Sequence, residues 1–459
     1  MDCKRAMQRT ASRALVATRR ACASSRGKKR DVNIFVIGAH GFIGSQLCLR
    51  LAQRHHTVIR GIHRSRGAER PAPWARDIMV DFVHDREAGT WLTRLDNVDA
   101  VVNTVGLIRE HGSATFARVH VETPIALFEA CATQGVDRVV QFSALGADDG
   151  ASSAYHRTKR QADEALLRRI PSAWSVQPSL VFGSGGASAR LFCMLASLPW
   201  VPVPGRGAQR IQPIHVDDVV DAVCALLESD RPGGRIPLVG PAPLHFGEWV
   251  LELRCALGLP AALVVHVPAS LMRAAAVVGE RLPGVLLDRA TLGMLERGNV
   301  ADPAQTAELL GTAARPVAAF IAPSEADAWR RSAQLDWLLP VLRGSVALVW
   351  IVTGIVSLGL YPVADSYDLL ARTGVPPSLA PLMLYGAASL DIAFGLLVLV
   401  LRDGARRLLW RAQAALILFY SLVIAWKLPE FWLHPYGPML KNVPLLAVLV
   451  ALDAMETRK

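Results

Sequence analysis

Two ionisable side chains stand four residues apart in the run Tyr155-His156-Arg157-Thr158-Lys159. That spacing places Tyr155 and Lys159 on one face of a helix. A phenol can exchange a proton with a carbonyl or hydroxyl oxygen. An ammonium one turn away lowers the phenol's pKa and offers a donor to a sugar hydroxyl. On any exposed helix the same pair would be only a solvated pair. It becomes a proton relay when the chain also holds a nucleotide that carries hydride. A nucleotide cradle is legible in Gly38-Ala39-His40-Gly41-Phe42-Ile43-Gly44. Glycines at 38, 41 and 44 allow a tight turn, close approach of backbone N–H groups to a pyrophosphate, and close packing of a helix on its strand.

The elements needed to position these residues follow in order. Asp31 to Ile37 is β-rich, Ser45 to Gln53 has helical periodicity, and Thr57 to Ile62 closes a βαβ unit around the glycines. Ile78–Phe82, Ala100–Gly106 and Arg138–Ser143 read as the third, fourth and fifth strands, each followed by a helical stretch. The alternation predicts an α/β doubly wound parallel sheet of Rossmann type. The second strand runs into His63-Arg64, with Arg66 beyond, where an NAD site would carry an acid for the ribose 2′-hydroxyl. Cations there suit a 2′-phosphate, so NADP(H) is favoured over NAD(H).

With these motifs the chain resembles the short-chain dehydrogenase/reductase superfamily, in its extended or atypical branch, over about residues 32–325. The resemblance assigns the glycine turn with Phe42 and Ile43 to the cofactor, Asp81-Phe82 to the adenine, and Thr104-Val105-Gly106 to the adenine-ribose side. Gln177-Pro178-Ser179-Leu180-Val181-Phe182-Gly183 would face the nicotinamide, and Ile214 to Val219 would open the substrate-side segment. It makes Tyr155 the catalytic acid/base and Lys159 its partner. The branch it looks most like contains the NADPH-binding accessory subunit of respiratory complex I, which implies a respiratory-chain partner as one option. In the family a catalytic Ser or Thr lies one or two residues past the fifth strand. Here the run is Ser143-Ala144-Leu145, so Ser143 is the candidate, one position early, and a strand-end hydroxyl bonded to backbone is the alternative. His120 stands where relatives place an Asn of the relay, and it either replaces that Asn or packs.

The charge balance is local. The 459 residues carry a formal net charge of +11, yet ten of the 50 Lys and Arg fall in residues 1–30 against a single acid, Asp2. The rest of the chain is close to neutral, which removes the case for nucleic acid. Residues 1–30 read as a basic disordered tail, a targeting segment, or sequence upstream of the true start. The seven cysteines form no CxxC pair and read as reduced thiols.

Apolar residues make up 52% of the chain, and many lie after residue 343. Gly344 to Ala364 runs 21 residues without a charge, and Leu379 to Leu401 runs 23 with Asp391 alone. Leu408 to Trp426 is a third candidate span, and Asn442 to Leu452 ends a fourth that is bent or re-entrant. Residues 301–342, punctuated by Pro303, Pro316 and Pro323, are expected to be a linker with short helices. Arg330, Arg331 and Arg343 precede the first span, Arg402, Arg406, Arg407 and Arg411 lie between the second and third, and Arg458-Lys459 end the chain. By the positive-inside rule the nucleotide domain and both termini face the cytoplasm, with a bacterial inner membrane favoured. Asp391, in mid-helix, is either a proton or quinone-head-group site or an interhelical hydrogen bond. Residues 341–455 resemble the DoxX-like family of small four-helix membrane proteins. The run from Gly437-Pro438 to Lys441-Asn442-Val443-Pro444 carries that match, and it implies quinone proximity by analogy alone.

The expected architecture is therefore a tail (1–30), a Rossmann-type domain (31–300), a linker (301–342) and an all-α transmembrane four-helix bundle (343–459). The expected function is a membrane-anchored NAD(P)H-dependent oxidoreductase acting on a small molecule, lipophilic or quinone-like. The alternatives are a non-catalytic NADPH-binding factor of a respiratory complex and a nucleotide-sugar epimerase or dehydratase.

Overall fold

The computed structural model describes residues 32–63, 72–280, 288–435 and 437–456. Two compact units make up the chain. One holds the residues up to Phe320 apart from 191–201 and 254–263, and the other holds those two stretches together with Ile321 onward.

The first unit is built on a seven-stranded sheet whose described pairings are all parallel. Its strands are β1 (Asn33–Ile37), β2 (Thr57–Ile62), β3 (Ala75–Met79), β4 (Ala100–Asn103), β5 (Arg138–Phe142), β6 (Trp174–Pro178) and β7 (Gly234–Leu238), in the spatial order β7-β6-β5-β4-β1-β2-β3. Chain direction across the sheet reverses between β1 and β4, and the crevice at their carboxyl ends is where an open α/β sheet binds ligands. Central strands covered on both faces must be apolar throughout. Ile34, Phe35, Val36 and Ile37 accordingly have almost no exposed surface. Ile34 and Val36 point to a core shared with Leu47 and Leu51 of α1 (Phe42–Gln53) and Val219 and Val223 of α4 (Val216–Leu227). Phe35 and Ile37 point to the other face, with Leu127 and Phe128 of α2 (Thr123–Gln134) and Leu166 of α3 (Ala154–Arg169).

The third strand ends at Met79, ahead of the Asp81-Phe82 expected at its end. The Asp81 carboxylate accepts the Val83 N–H at 3.1 Å and bonds His84 at 2.9 Å, which turns the chain out of the ladder.

The stretch 301–342 divides in two instead of forming a linker. Its first part packs on the sheet unit: Thr306 Oγ1 accepts the Val239 N–H at 3.0 Å, Arg315 pairs with Asp217 at 2.7 Å and Asp218 at 2.9 Å, and Phe320 stacks on Phe182 with centroids 5.2 Å apart. Its second part is already helix, because α5 (Ala326–Ile355) starts well before the charge-free run and passes through Pro340.

The second unit contains α5, α6 (Ala380–Val400), α7 (Asp403–Lys427) and α8 (Asn442–Met455). Three helical stretches, Ala326–Leu360, Ala380–Val400 and Gly404–Lys427, are long and apolar enough to cross a membrane. The fourth segment is broken, with a short helix at Glu430–Leu433 followed by α8, whose 14 residues make about 21 Å of helix against a ~30 Å hydrocarbon core. Small residues bring α5 and α6 together, since a Cβ on Gly354 would meet the Ala388 carbonyl at 2.6 Å and one on Gly395 the Ala347 carbonyl at 2.8 Å. Three of the basic residues flanking the spans converge on Glu456, while Arg411 pairs with Asp453. Glu456 accepts from Arg343 at 2.8 Å and Arg406 at 3.2 Å, and Arg407 bonds its backbone carbonyl.

Candidate active site

The glycine turn leaves no room for side chains. Gly38 lies at φ +83°, and a Cβ there would sit 2.7 Å from Thr104 Oγ1. A Cβ on Gly44 would be 2.2 Å from the Gly38 carbonyl oxygen, so α1 can lie against β1 only with glycine at that position. The Thr104 hydroxyl donates to the Ile37 carbonyl at 2.8 Å and ties the end of β4 to the turn. Gly41 caps α1 with no side-chain hydrogen bond and no acid in the first turn. The first N–H groups of α1 thus point outward without a side-chain acceptor, the arrangement that binds a phosphate. These residues fit a dinucleotide pyrophosphate. Phe42 packs under the turn that follows Phe182, where a Cβ on Gly186 would meet its ring at 3.0 Å. Ile43 packs, half-buried, on the core beneath. The Pro178 carbonyl accepts the Leu145 N–H at 3.1 Å and joins the ends of β5 and β6.

Ser153 caps α3 by accepting the His156 N–H at 3.1 Å, and this fixes where Tyr155 and Lys159 emerge. Lys159 is almost wholly buried. Its Nζ donates to the Phe142 carbonyl at 2.7 Å and the Val105 carbonyl at 3.4 Å, bridging the ends of β5 and β4. A Cβ on Gly106 would come within 3.1 Å of that Nζ. Thr104, Val105 and Gly106 are therefore brought to the glycine turn and to Lys159.

The Tyr155 ring is boxed by Phe116, His120 and His156, at centroid distances of 6.2, 5.4 and 5.3 Å. Its hydroxyl forms no hydrogen bond among the described residues. His120 accepts the Leu107 N–H on Nε2 at 2.9 Å, so the neutral ring carries its proton on Nδ1 and donates to Thr158 Oγ1 at 3.0 Å. Burial, reinforced by the nearby Lys159 charge, pushes its pKa down to about 2. The open choice for His120 resolves to a neutral imidazole that buttresses the Tyr155 ring. It sits in a π-helical turn, Ala117–Glu122, just ahead of Pro124, which has no N–H to return to the His120 carbonyl in α register.

The Ser143 hydroxyl is bonded to a partner other than Tyr155. Buried, it donates to Asp163 Oδ2 at 2.6 Å, and Asp163 lies two turns, about 12 Å along the axis, beyond Tyr155 on α3. Ala144 and Leu145 supply no hydroxyl in its place. Asp163, fully buried, escaped the sequence reading, although Lys159 plus four was its signal: Tyr155, Lys159 and Asp163 form one helix face.

The expected lowering of the phenol pKa is also corrected. Burial pushes Tyr155 up to about 12, and the Asp163 carboxylate adds to the rise. Burial lowers Lys159 to about 8 against the opposing pull of Asp163. Burial raises Asp163 to about 6, despite its bonds from Ser143 and Gln177. The Lys159 ammonium is turned to carbonyl oxygens, so the burial of Tyr155 decides its acidity.

At Asp81, burial works against the carboxylate charge, yet the bonds from His84 and the Val83 N–H hold its pKa below the usual value. Phe82 is buried, and its carbonyl accepts the Thr123 hydroxyl at 2.9 Å. Arg64 lies outside the described residues.

Residues 34–240 match the NAD dependent epimerase/dehydratase family, and residues 347–450 match the DoxX-like family. Among curated proteins, the chain is 29% identical over 203 residues to the NADH dehydrogenase [ubiquinone] 1 alpha subcomplex subunit 9, mitochondrial, of Arabidopsis thaliana, covering 42% of this chain and 50% of that protein. It is 29% identical over 215 residues to a ceramide reductase of Caulobacter vibrioides, covering 45% of this chain and 62% of that protein. The chain thus spans about half the length of the curated relatives it matches. A nucleoside-diphosphate-sugar epimerase from Staphylococcus aureus superposes with a TM-score of 0.52 at 17% identity, over 63% of this chain and 99% of that one, a likeness of fold. Residues 34–240 are an NAD-dependent epimerase/dehydratase-family domain on a Rossmann sheet, and the same chain continues into a DoxX-like domain at 347–450.

Proposed function

We propose that the chain is a membrane-anchored, NADP(H)-dependent reductase of short-chain type that acts on a lipid-soluble carbonyl compound. The observation that carries this reading is the Tyr155 hydroxyl, held by three rings one turn from Lys159, whose Nζ closes the ends of β4 and β5 beside Gly106. When bound, the nicotinamide supplies the hydride. The N-terminus of α1 holds the pyrophosphate, and Arg64 with Arg66 hold the 2′-phosphate. Lys159 offers its ammonium to the ribose. Tyr155, kept protonated by its burial, donates its proton to the oxygen that gains charge on the substrate carbon, which favours the reductive direction. The clustering of Arg343, Arg406 and Arg407 around Glu456 supports a cytoplasmic position for that end of the membrane helices. The ceramide reductase relative supports a lipophilic substrate.

A second reading is a nucleotide-binding subunit without turnover. The diversion of Ser143 to Asp163 favours it, as does the relative named as a subunit of NADH dehydrogenase. The two separate on purification in lipid nanodiscs, followed by assay of bound nucleotide and of NADPH oxidation with lipophilic ketones, aldehydes and quinones. Turnover with any of these supports the reductase. Stoichiometric NADPH with no oxidation across the panel supports the second reading.

A further inference from the structure

The helix Ala269–Gly279 carries apolar residues at Leu271, Ala274, Ala275 and Val278, the i, i+3, i+4, i+7 spacing that ordinarily faces a core. Here the stripe faces outward. Leu271 is 59% and Val278 56% exposed, and Ala274 and Ala275 are exposed between them, whereas Ala276 on the opposite side and Gly279 at the stripe's flank are buried. Arg273 is the one charged residue of the helix. The acid that follows, Glu280, is held by Arg289 at 2.7 and 3.0 Å. An exposed apolar stripe on a helix free of acid, with its cation on the far side, is the composition of a helix whose apolar face lies in a membrane interface.

The helix is joined to the candidate active site. Arg109 Nη2 donates to the Gly279 carbonyl at 3.4 Å and to Asp288 at 3.0 Å, while Leu107, two residues before Arg109, bonds the His120 that packs on Tyr155. We propose that the outward face of helix Ala269–Gly279 docks on the bilayer in which the chain's own apolar helices lie, and so opens the Tyr155 site to a substrate dissolved in lipid. The occupant follows from covalent connection. Gly344, where the charge-free run begins, is 24 residues beyond Phe320, and part of that stretch is α5. The connection spans at most about 50 Å. A bilayer on so short a tether is present at high effective concentration for any face of the first unit. The docking stands on the stripe and the tether; the substrate route rests on the reductase reading.

The test uses the full chain in nanodiscs, with Cys3, Cys22 and Cys255 replaced by Ser. Single cysteines at Leu271→Cys, Val278→Cys and, as an exposed control, Asp137→Cys carry an environment-sensitive fluorophore. Docking predicts blue-shifted emission at 271 and 278, quenched at least twofold more than the control by lipids spin-labelled at a shallow acyl carbon. Emission and quenching equal to the control would overturn the proposal. So would a blue shift without lipid quenching, since protein would then cover the stripe. A Leu271→Glu/Val278→Glu variant labelled at Ala275→Cys should lose the quenching while its melting and bound nucleotide stay unchanged; retained quenching would contradict docking. Quenching at 271 and 278 in a protein that oxidises no NADPH would leave the docking in place and remove the reductase reading, so the two fail separately.

Discussion

The Lys159 ammonium donates to the Phe142 carbonyl at 2.7 Å, so the helix that carries Tyr155 is latched to the carboxyl end of β5. Behind the latch stands Asp163, whose Oδ2 accepts from Ser143 at the same strand end. The site is thus a face of three ionisable groups on α3, with the outermost facing the crevice and the innermost sealed.

Ser143 is expected to act through Asp163. Ser143→Ala removes a hydrogen bond to a buried carboxylate and should cost about 1–3 kcal/mol of stability, read as a lowered melting temperature. Turnover should fall by less than about tenfold, because the hydroxyl is donated to Asp163. A loss as large as that from removing the Tyr155 hydroxyl would place Ser143 in the proton transfer after all.

The pH dependence of stability follows from the same face. Asp163 has its folded pKa raised from 3.8 to about 6, so the folded protein binds the extra proton between these values and stability falls as pH rises through them. Lys159 has its folded pKa lowered from 10.5 to about 8, so the unfolded chain binds more protons in that interval and stability rises with pH across it. The parent should melt lower as pH rises from 4 to 6, and Asp163→Asn should lose that downward slope. An unchanged slope would remove Asp163 as its source.

How much of this was legible depended on whether the determinant was local. The glycine turn follows from residues adjacent in sequence, and the structure shows why each is small. The pair of Tyr155 and Lys159 was legible because helical spacing alone sets it. Asp163 was overlooked because its significance comes from Ser143 on a distant strand. The phenol's acidity was misjudged because proximity to Lys159 says nothing of where the ammonium points. The start of α5 was hidden by Asp327, Arg330 and Arg331, which break an apolar run without breaking a helix. The outward stripe of Ala269–Gly279 has the periodicity of a core helix, and the structure alone tells which way it faces.

Gly44→Ala tests the cradle. With its Cβ 2.2 Å from the Gly38 carbonyl, α1 must move off β1, at a cost of about 1–3 kcal/mol. Nucleotide affinity, measured by titration calorimetry, should drop by at least tenfold, and an unaltered affinity would mean that the pyrophosphate binds elsewhere.

Arg64→Gln addresses cofactor choice. Loss of one cation from the 2′-phosphate should weaken NADPH about tenfold and leave NADH within about twofold. Equal effects on both nucleotides would take Arg64 out of the cofactor site.

The most direct measurement of the central claim is the turnover of Tyr155→Phe beside its NADPH affinity. The substitution keeps the ring between Phe116, His120 and His156 and deletes the hydroxyl alone. The account predicts a fall in kcat of about 100-fold or more, with NADPH affinity within about twofold of the parent. Turnover equal to that of the parent would contradict it.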